Sequence, residues 1–394
     1  MKILANDGLV EEGIQYLHKE GFEVDTVKRD LDDLIGDIKD FDALLVRSAT
    51  KVTREVIEAG TKNGGKLKVV GRGGVGTDNI DLVAARENGV IVKFAPNGNT
   101  NATAEHALGL MFGVARKVPF AHATLKSGIW HKKRFQGGEL MGKTLGIIGC
   151  GRIGQALATK AKALGMKVVG FDVYRKLDSE VDYLDTVDDV LRVSDFVSLH
   201  TGGRETLIGP KELKIMKNTA YLVNASRGVN VDEDALYDAL KNGEIAGAAL
   251  DTYRKEPKRE GEPFENRLME FDNVVFSAHL GASTRNAMRR TGLEIAEVVA
   301  KYLRLGDFNQ SVNAGQTVEE EGREIYTIFI THEDTPGMFG KFGVAFGEMG
   351  VNIRENNSRK LNDHVQTVYV VHQKPTPEVC RRIGEIAGVK RVAY

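Results

Sequence analysis

Residues 147–172, IIGCGRIGQALATKAKALGMKVVGFD, narrow the possible folds more than any other part of the chain. The preceding residues 144–148 (TLGII) read as a short buried strand, and Ile153, Leu157, Ala161 and Leu164 then recur at helical spacing until Gly165 ends the pattern. The glycines fall between the two. In such a strand-turn-helix, Gly149 makes the tight turn, Gly151 lets backbone approach a pyrophosphate, and Gly154 allows helix and strand to pack closely. The first amides of the helix then face the phosphates. A second apolar run ends in Asp172, where a carboxylate can accept the ribose hydroxyls of NAD and would repel the extra phosphate of NADP. Arg175 nearby keeps NADP in view.

At 394 residues the chain is too long for one ordinary core, so two or three domains are expected. Its formal net charge of -1, well mixed along the chain, gives no reason to expect nucleic acid or an anionic membrane as a partner. The opening MKILANDG reads as a strand rather than a secretory leader, and no later stretch has the length of a membrane span. Two cysteines, Cys150 and Cys380, form neither a disulfide framework nor a metal spacing. A cytoplasmic protein without a metal is the expectation. Gly is frequent, at 44 residues, and Pro scarce, at 8, which suits many tight strand-to-helix turns better than disordered linkers.

The first hundred residues alternate short apolar runs (KILA, DALLV, LKVVG, VIVKF) with helical patterns at 10–19 and 53–59. That alternation predicts a parallel sheet covered by helices. A long helical pattern at 104–116 leads through a basic segment containing Trp130 into the glycine turn, after which DFVSLH, AYLVNAS, GAALDTY and NVVFSAH are further candidate strands ending in polar residues. The fold class is therefore α/β, with two doubly wound parallel-sheet, Rossmann-like domains and an expected cleft between them. We assign 1–96 to a first domain, completed by 281–308 through a helix at 283–305, and 97–280 to a dinucleotide-binding domain. Residues 309–322 read as a linker. Residues 323–394 read as strand (325–331), helix (337–349), strand (351–355), strand (365–371), helix (375–386) and strand (389–393), a βαββαβ, ferredoxin-like module.

Three polar residues follow predicted strands of the second domain. Arg227 stands in LVNASRGVNVDEDAL, Glu256 in ALDTYRKEP and His279 in VVFSAHLGAST. Taken singly, each has a plain structural reading: a surface arginine, a solvated loop carboxylate, a structural histidine. Taken together they suit oxidation of a secondary alcohol. Histidine can accept the hydroxyl proton, a carboxylate beside it fixes its tautomer, and arginine holds a substrate carboxylate.

With these residues in place, the chain resembles the D-isomer-specific 2-hydroxy acid dehydrogenases along its whole length, through VRSATKVT, VVGRGGVGTDNIDL, NTNATAEHALGLM, GKTLGIIGCGRIG, LVNASRGVNVDEDAL, GAALDTYRKEP and SAHLGAST. The resemblance implies that Arg227, Glu256 and His279 are the catalytic residues, with His279 as acid/base. It implies that Arg152, Ile153, Asp172, Ala225, Ser226, Asp251 and the turn His279, Gly281, Ala282 line NAD, joined by Thr201 in a loop, HTGGRET, that departs from the family's proline-containing form. It points to the phosphoglycerate-oxidising branch: Arg47, Ser48, Lys51 and Arg72 would meet a phosphate, and the amides of Gly74 and Val75 a carboxylate. The implied reaction is NAD-dependent oxidation of D-3-phosphoglycerate to 3-phosphohydroxypyruvate, at the head of the phosphorylated route to serine.

By the same resemblance the C-terminal module is ACT-like, with His332, Asp334 and Asn352 at effector positions for serine or another amino acid, although Asp334 stands where Asn is usual. Trp130 matches a segment that packs across a dimer, so a homodimer or homotetramer is expected; a core position for the tryptophan is the alternative. Two other functions stay open: a hydroxypyruvate, glyoxylate or D-lactate reductase, and a non-enzymatic NAD-sensing scaffold on the same fold.

Overall fold

The computed structural model describes residues 1–394 except 177, 204, 258–260, 314–317, 321–322 and 362–363. The chain divides into two compact units, Met1–Gly98 with Met288–Tyr394, and Asn99–Ala287.

In the first unit, β1 (Lys2–Ala5), β2 (Glu23–Asp25), β3 (Ala43–Val46), β4 (Val69–Arg72) and β5 (Ile91–Phe94) form a parallel sheet of order β2-β1-β3-β4-β5. The strands are short apolar runs because both faces are covered. Ile3, Leu45, Val69 and Ile91 pack on Ile295, Val299 and Leu303 of the helix Arg285–Leu305, while Leu4, Leu44, Val70 and Val92 pack on Leu34, Val56, Ile57 and Ala84 of the opposite helices.

The second unit holds β6 (Thr144–Ile148), β7 (Lys167–Phe171), β8 (Asp182–Tyr183), β9 (Phe196–Leu199), β10 (Tyr221–Asn224), β11 (Gly247–Leu250) and β12 (Val274–Phe276). All pair in parallel, in the order β12-β11-β10-β9-β6-β7-β8. The winding direction reverses between β6 and β9. Ligands of open α/β sheets bind beyond the strand ends at such a point. The helix Thr100–Arg116 begins one turn earlier than its apolar pattern, because TNAT carries too few apolar side chains to announce it.

The C-terminal module is antiparallel: β13 (Val318–Glu320), β14 (Arg323–Glu333), β15 (Ile353–Leu361), β16 (His364–Val371) and β17 (Val389–Ala393) run β13-β14-β16-β15, with β17 also on β14. Its helices are Met338–Glu348 and Pro377–Gly384. Strand β15 extends well past Glu355, where the apolar pattern stops, because a sheet-edge strand can carry polar side chains to solvent.

The segment 309–313, read as linker, instead runs beside β5: Val312 N–H donates to Val92 O at 3.0 Å and Asn313 Oδ1 accepts from Val92 N–H at 2.9 Å. The module packs within the first unit, where Phe329 and Val368 join the cluster around Tyr302 and Phe308, and Tyr302 Oη donates to Gln366 Oε1 at 2.7 Å. Beneath it lies Lys93, fully buried and donating to the carbonyls of Asp307 and Asn309; burial pushes its pKa down to about 7. The core alternative for Trp130 does not hold, since the residue is 78% exposed. Among the described residues no helix is long and apolar enough to cross a membrane.

Candidate active site

The three glycines at the end of β6 do three different jobs. Gly149 adopts φ +94°, and a Cβ there would lie 2.7 Å from the His200 carbonyl at the end of β9. At Gly154 a Cβ would be 2.3 Å from Gly149 O, so only glycine lets the helix Arg152–Ala163 seat this close to the turn. At Gly151 a Cβ would meet no heavy atom within 4 Å, so the space over the backbone there is open. Its neighbours Arg152 and Ile153 open the helix, and among the described residues no side chain caps its first amides.

Asp172, just past β7, accepts from Cys150 N–H (2.7 Å) and Tyr174 N–H (2.9 Å), so it ties the glycine turn to the next strand. Burial and the Asp172 charge push the Cys150 thiol up to about 12, which makes it a packing residue. Arg175 turns to Asp185 (2.8 Å) and the Leu184 carbonyl (3.1 Å), which weakens the case for a 2′-phosphate there. Thr201 sits beside Gly149, its Oγ1 3.3 Å from Asn230 Oδ1.

Arg227, Glu256 and His279 come together because they follow β10, β11 and β12, three neighbours in the sheet. Buried Asn224 shapes the first loop, donating to Arg227 O (2.9 Å) and accepting from Ser226 N–H (3.1 Å). Ala225 and Ser226 are buried within it. A Cβ at Gly228 would fall 1.9 Å from the Tyr253 carbonyl carbon, so glycine is required where the Arg227 loop approaches the Glu256 loop this closely. Glu256 Oε1 accepts from Tyr253 N–H at 3.1 Å, and the carboxylate meets His279 Nδ1 at 2.9 and 3.1 Å.

A carboxylate on Nδ1 requires a proton there, which leaves Nε2 as the ring nitrogen not engaged by Glu256. Its hydrogen bond to Glu256 raises the pKa of His279 against the opposing effect of burial. Burial works to raise Glu256 too, but the bond and charge of His279 outweigh it and the carboxyl ends up lowered. His279 has φ 52°, in the left-handed region, and its N–H donates to Asp251 O at 2.9 Å. The buried Asp251 carboxylate also accepts from Leu280 N–H (2.7 Å) and Gly281 N–H (2.9 Å), which fixes the turn that leads to Ala282.

In the first unit, Asp7 after β1 organises the loop after β3. It accepts from Arg47 N–H (2.7 Å), Thr50 N–H (3.0 Å) and Thr50 Oγ1 (2.7 Å), and Asn79 Nδ2 donates to the Arg47 and Thr50 carbonyls. Arg47, Ser48 and Lys51 are left exposed. Arg72 ends β4 and folds over Gly74, where a Cβ would lie 1.4 Å from the guanidinium; Val75 follows half-buried. Gly73 brings the two loops together, its Cβ position 3.6 Å from Arg47 Cγ.

The proposed effector residues do not form one open cluster. His332 is 2% exposed, with Nδ1 on Glu333 O and Nε2 on Thr367 Oγ1, both at 2.8 Å, whereas Asp334 and Asn352 are at the surface, Asp334 3.4 Å from Lys360 Nζ. Sequence reasoning passed over Asp7, Asn79, Asn224 and His106. Asp7 carried a signal, as a carboxylate at a strand end in ANDG; the others gave none that spacing could isolate.

Residues 108–281 match the family described as D-isomer specific 2-hydroxyacid dehydrogenase, NAD binding domain. A hydroxypyruvate reductase of Thermotoga maritima is 41% identical over 77% of this chain and 98% of its own length. The chain belongs to the D-isomer specific 2-hydroxyacid dehydrogenase family. Another relative of this chain, the D-3-phosphoglycerate dehydrogenase of Methanocaldococcus jannaschii, is 44% identical over 79% of the chain and 59% of its own length. The chain thus spans about three fifths of the length of that relative. The solved Entamoeba histolytica 3-phosphoglycerate dehydrogenase with NAD+ bound superposes with a TM-score of 0.66 at 25% identity, over 79% of this chain and 98% of that one.

Proposed function

We propose that this dehydrogenase oxidises D-3-phosphoglycerate to 3-phosphohydroxypyruvate with NAD, as the first step of phosphorylated serine synthesis. The observation that carries the reading is the His279 Nδ1 contact with Glu256 at 2.9 Å beside the Arg227 loop. NAD fits the open backbone at Gly151 and the fixed carboxylate of Asp172, and when bound it supplies the hydride acceptor. His279 Nε2 takes the hydroxyl proton, Glu256 stabilises the imidazolium formed, and Arg227 orients the substrate and polarises the reacting oxygen. The phosphate is assigned to Arg47, Lys51 and Arg72 and the carboxylate to the Val75 amide; the Gly74 amide, expected to share the carboxylate, instead donates to Arg72 O at 2.8 Å.

The deciding experiment follows NADH formation at 340 nm with 3-phosphoglycerate beside D-lactate, D-glycerate and 2-hydroxyglutarate, using NAD and NADP in turn. Preference for the phosphorylated acid with NAD supports the reading. Preference for an unphosphorylated acid, the chemistry named for the Thermotoga maritima relative, overturns the substrate and keeps the hydride mechanism.

The cofactor assignment has its own test. A Gly151→Val chain should keep its melting temperature, because the space is open, yet bind NADH at least about tenfold more weakly because the side chain fills the phosphate approach. Unchanged calorimetric affinity would sink the assignment.

Self-association is part of the proposal. Leu125, Ile129, Trp130 and Met141 are all more than half exposed or close to it, an apolar set that suits a second copy of the chain. Unpaired Cys150 and Cys380 suit a reducing, cytoplasmic setting. An amino acid such as serine at the C-terminal module would meet Asp334 and Asn352 but not the enclosed ring of His332.

A further inference from the structure

His106 lies on the helix Thr100–Arg116, far in sequence from the residues assigned to chemistry, yet its Nε2 is 3.0 Å from Asp251 Oδ1 and 3.0 Å from Ser277 Oγ. Ser277 Oγ in turn donates to Asp251 Oδ1 at 2.6 Å. These contacts fix the tautomer. The carboxylate can only accept, and the serine proton is already committed to it, so Nε2 of His106 must carry a hydrogen and donate. Asp251 is 1% exposed, and burial alone would raise its pKa; the bonds from His106, Ser277 and the Leu280 amide bring it down to about 2 instead. A buried carboxylate in this state depends on its donors.

The same residue holds three successive amides of the catalytic turn: His279 N–H on the Asp251 carbonyl, Leu280 and Gly281 N–H on its carboxylate. His279 adopts φ 52°. A non-glycine residue keeps such a conformation only where its surroundings over-determine it. The chain of dependence therefore runs from His106 to Asp251 to the backbone of residues 279–281, and from there to the direction of the His279 ring.

We propose that His106 is a positioning residue for His279, acting through Asp251 and Ser277 to hold the 279–281 turn in its left-handed form. The inference rests on the reading of His279 as the acid/base. His106 does not touch the reacting atoms; it keeps Asp251 ionised and oriented so that the imidazole meets substrate in one geometry. Glutamine can present an N–H where the histidine Nε2–H stands, whereas leucine of similar bulk cannot.

The test compares the full-length wild type with His106→Leu and His106→Gln. For the leucine variant we expect kcat to fall about tenfold or more with the KM of the 2-hydroxy acid little changed, the rate equivalent of one charge-assisted hydrogen bond. Glutamine should restore most of it. Independently of turnover, the His279 ring proton resonance, identified by its loss in His279→Asn, should move in the leucine variant of the cofactor-free chain and return in the glutamine variant. Leucine leaving both kcat and the resonance unmoved, or glutamine failing to restore them, overturns the proposal. A leucine variant that does not fold hands the same two readouts to Ser277→Ala, which should shift both in the same direction. Should the wild type turn over none of the acids, the functional reading fails, while the resonance comparison still decides the role of His106.

Discussion

Replacing His279 with asparagine should leave a chain that binds NADH as tightly as the wild type and turns over its acid about 10²- to 10⁴-fold more slowly, the usual worth of a positioned general base. Asparagine is the better choice because residue 279 has φ 52°, a conformation that asparagine tolerates and alanine does not. The backbone bonds to Asp251 involve main-chain groups of residue 279 and its neighbours, so they survive the change. Steady-state rates at 340 nm and calorimetry with NADH separate the two effects. A loss of rate together with cofactor binding would point to collapse of the turn, and turnover within tenfold of wild type would remove His279 from the mechanism. A scaffold that only senses NAD would show no turnover to lose.

Much of this site was legible because its chemistry follows local sequence. The tight turn at Gly149 and the close helix packing at Gly154 could be read from a strand, a helix and their spacing, whereas the His200 carbonyl that also crowds Gly149 comes from a neighbouring strand and could not. Arg227, Glu256 and His279 were visible as polar residues after apolar runs. Their meeting was not: it depends on β10, β11 and β12 being neighbours, and strand order is a property of the whole sheet. His106 was hidden for the same reason, being 145 residues from Asp251 and part of an ordinary helical stripe. In the C-terminal module the pattern ended at Glu355 because alternation fades on an exposed edge, and His332 looked like a ligand although its ring is packed against Phe342 at 5.0 Å.

The Glu256→Gln variant separates the two functions of that carboxylate, since glutamine can still accept from His279 Nδ1 but carries no charge. In the wild type the Glu256 bond is the main cause raising the pKa of His279, with burial opposing it. Removing the charge leaves burial to act, so the histidine pKa falls below its wild-type position. With His279 as the proposed acid/base, oxidation needs it neutral, so the wild-type kcat/KM for oxidation should rise with pH through a midpoint above the ordinary histidine value of about 6.5, and the variant's midpoint should sit lower. Reduction needs the imidazolium, so its rate in the variant fails at a lower pH than in wild type.

Above both midpoints a second deficit remains, because the imidazolium formed during oxidation has lost its counter-charge; about 10²-fold in kcat is expected there. The ion pair also links to stability. A histidine with a raised folded pKa contributes stability that is complete below its unfolded pKa and lost as pH rises through the folded one, while the lowered Glu256 contribution is lost as pH falls through its own folded pKa. The variant should therefore melt below wild type near pH 6 and converge with it near pH 9. Rate profiles in both directions that coincide with wild type except for a uniform scale factor would show that Glu256 only positions the ring and does not set its proton affinity.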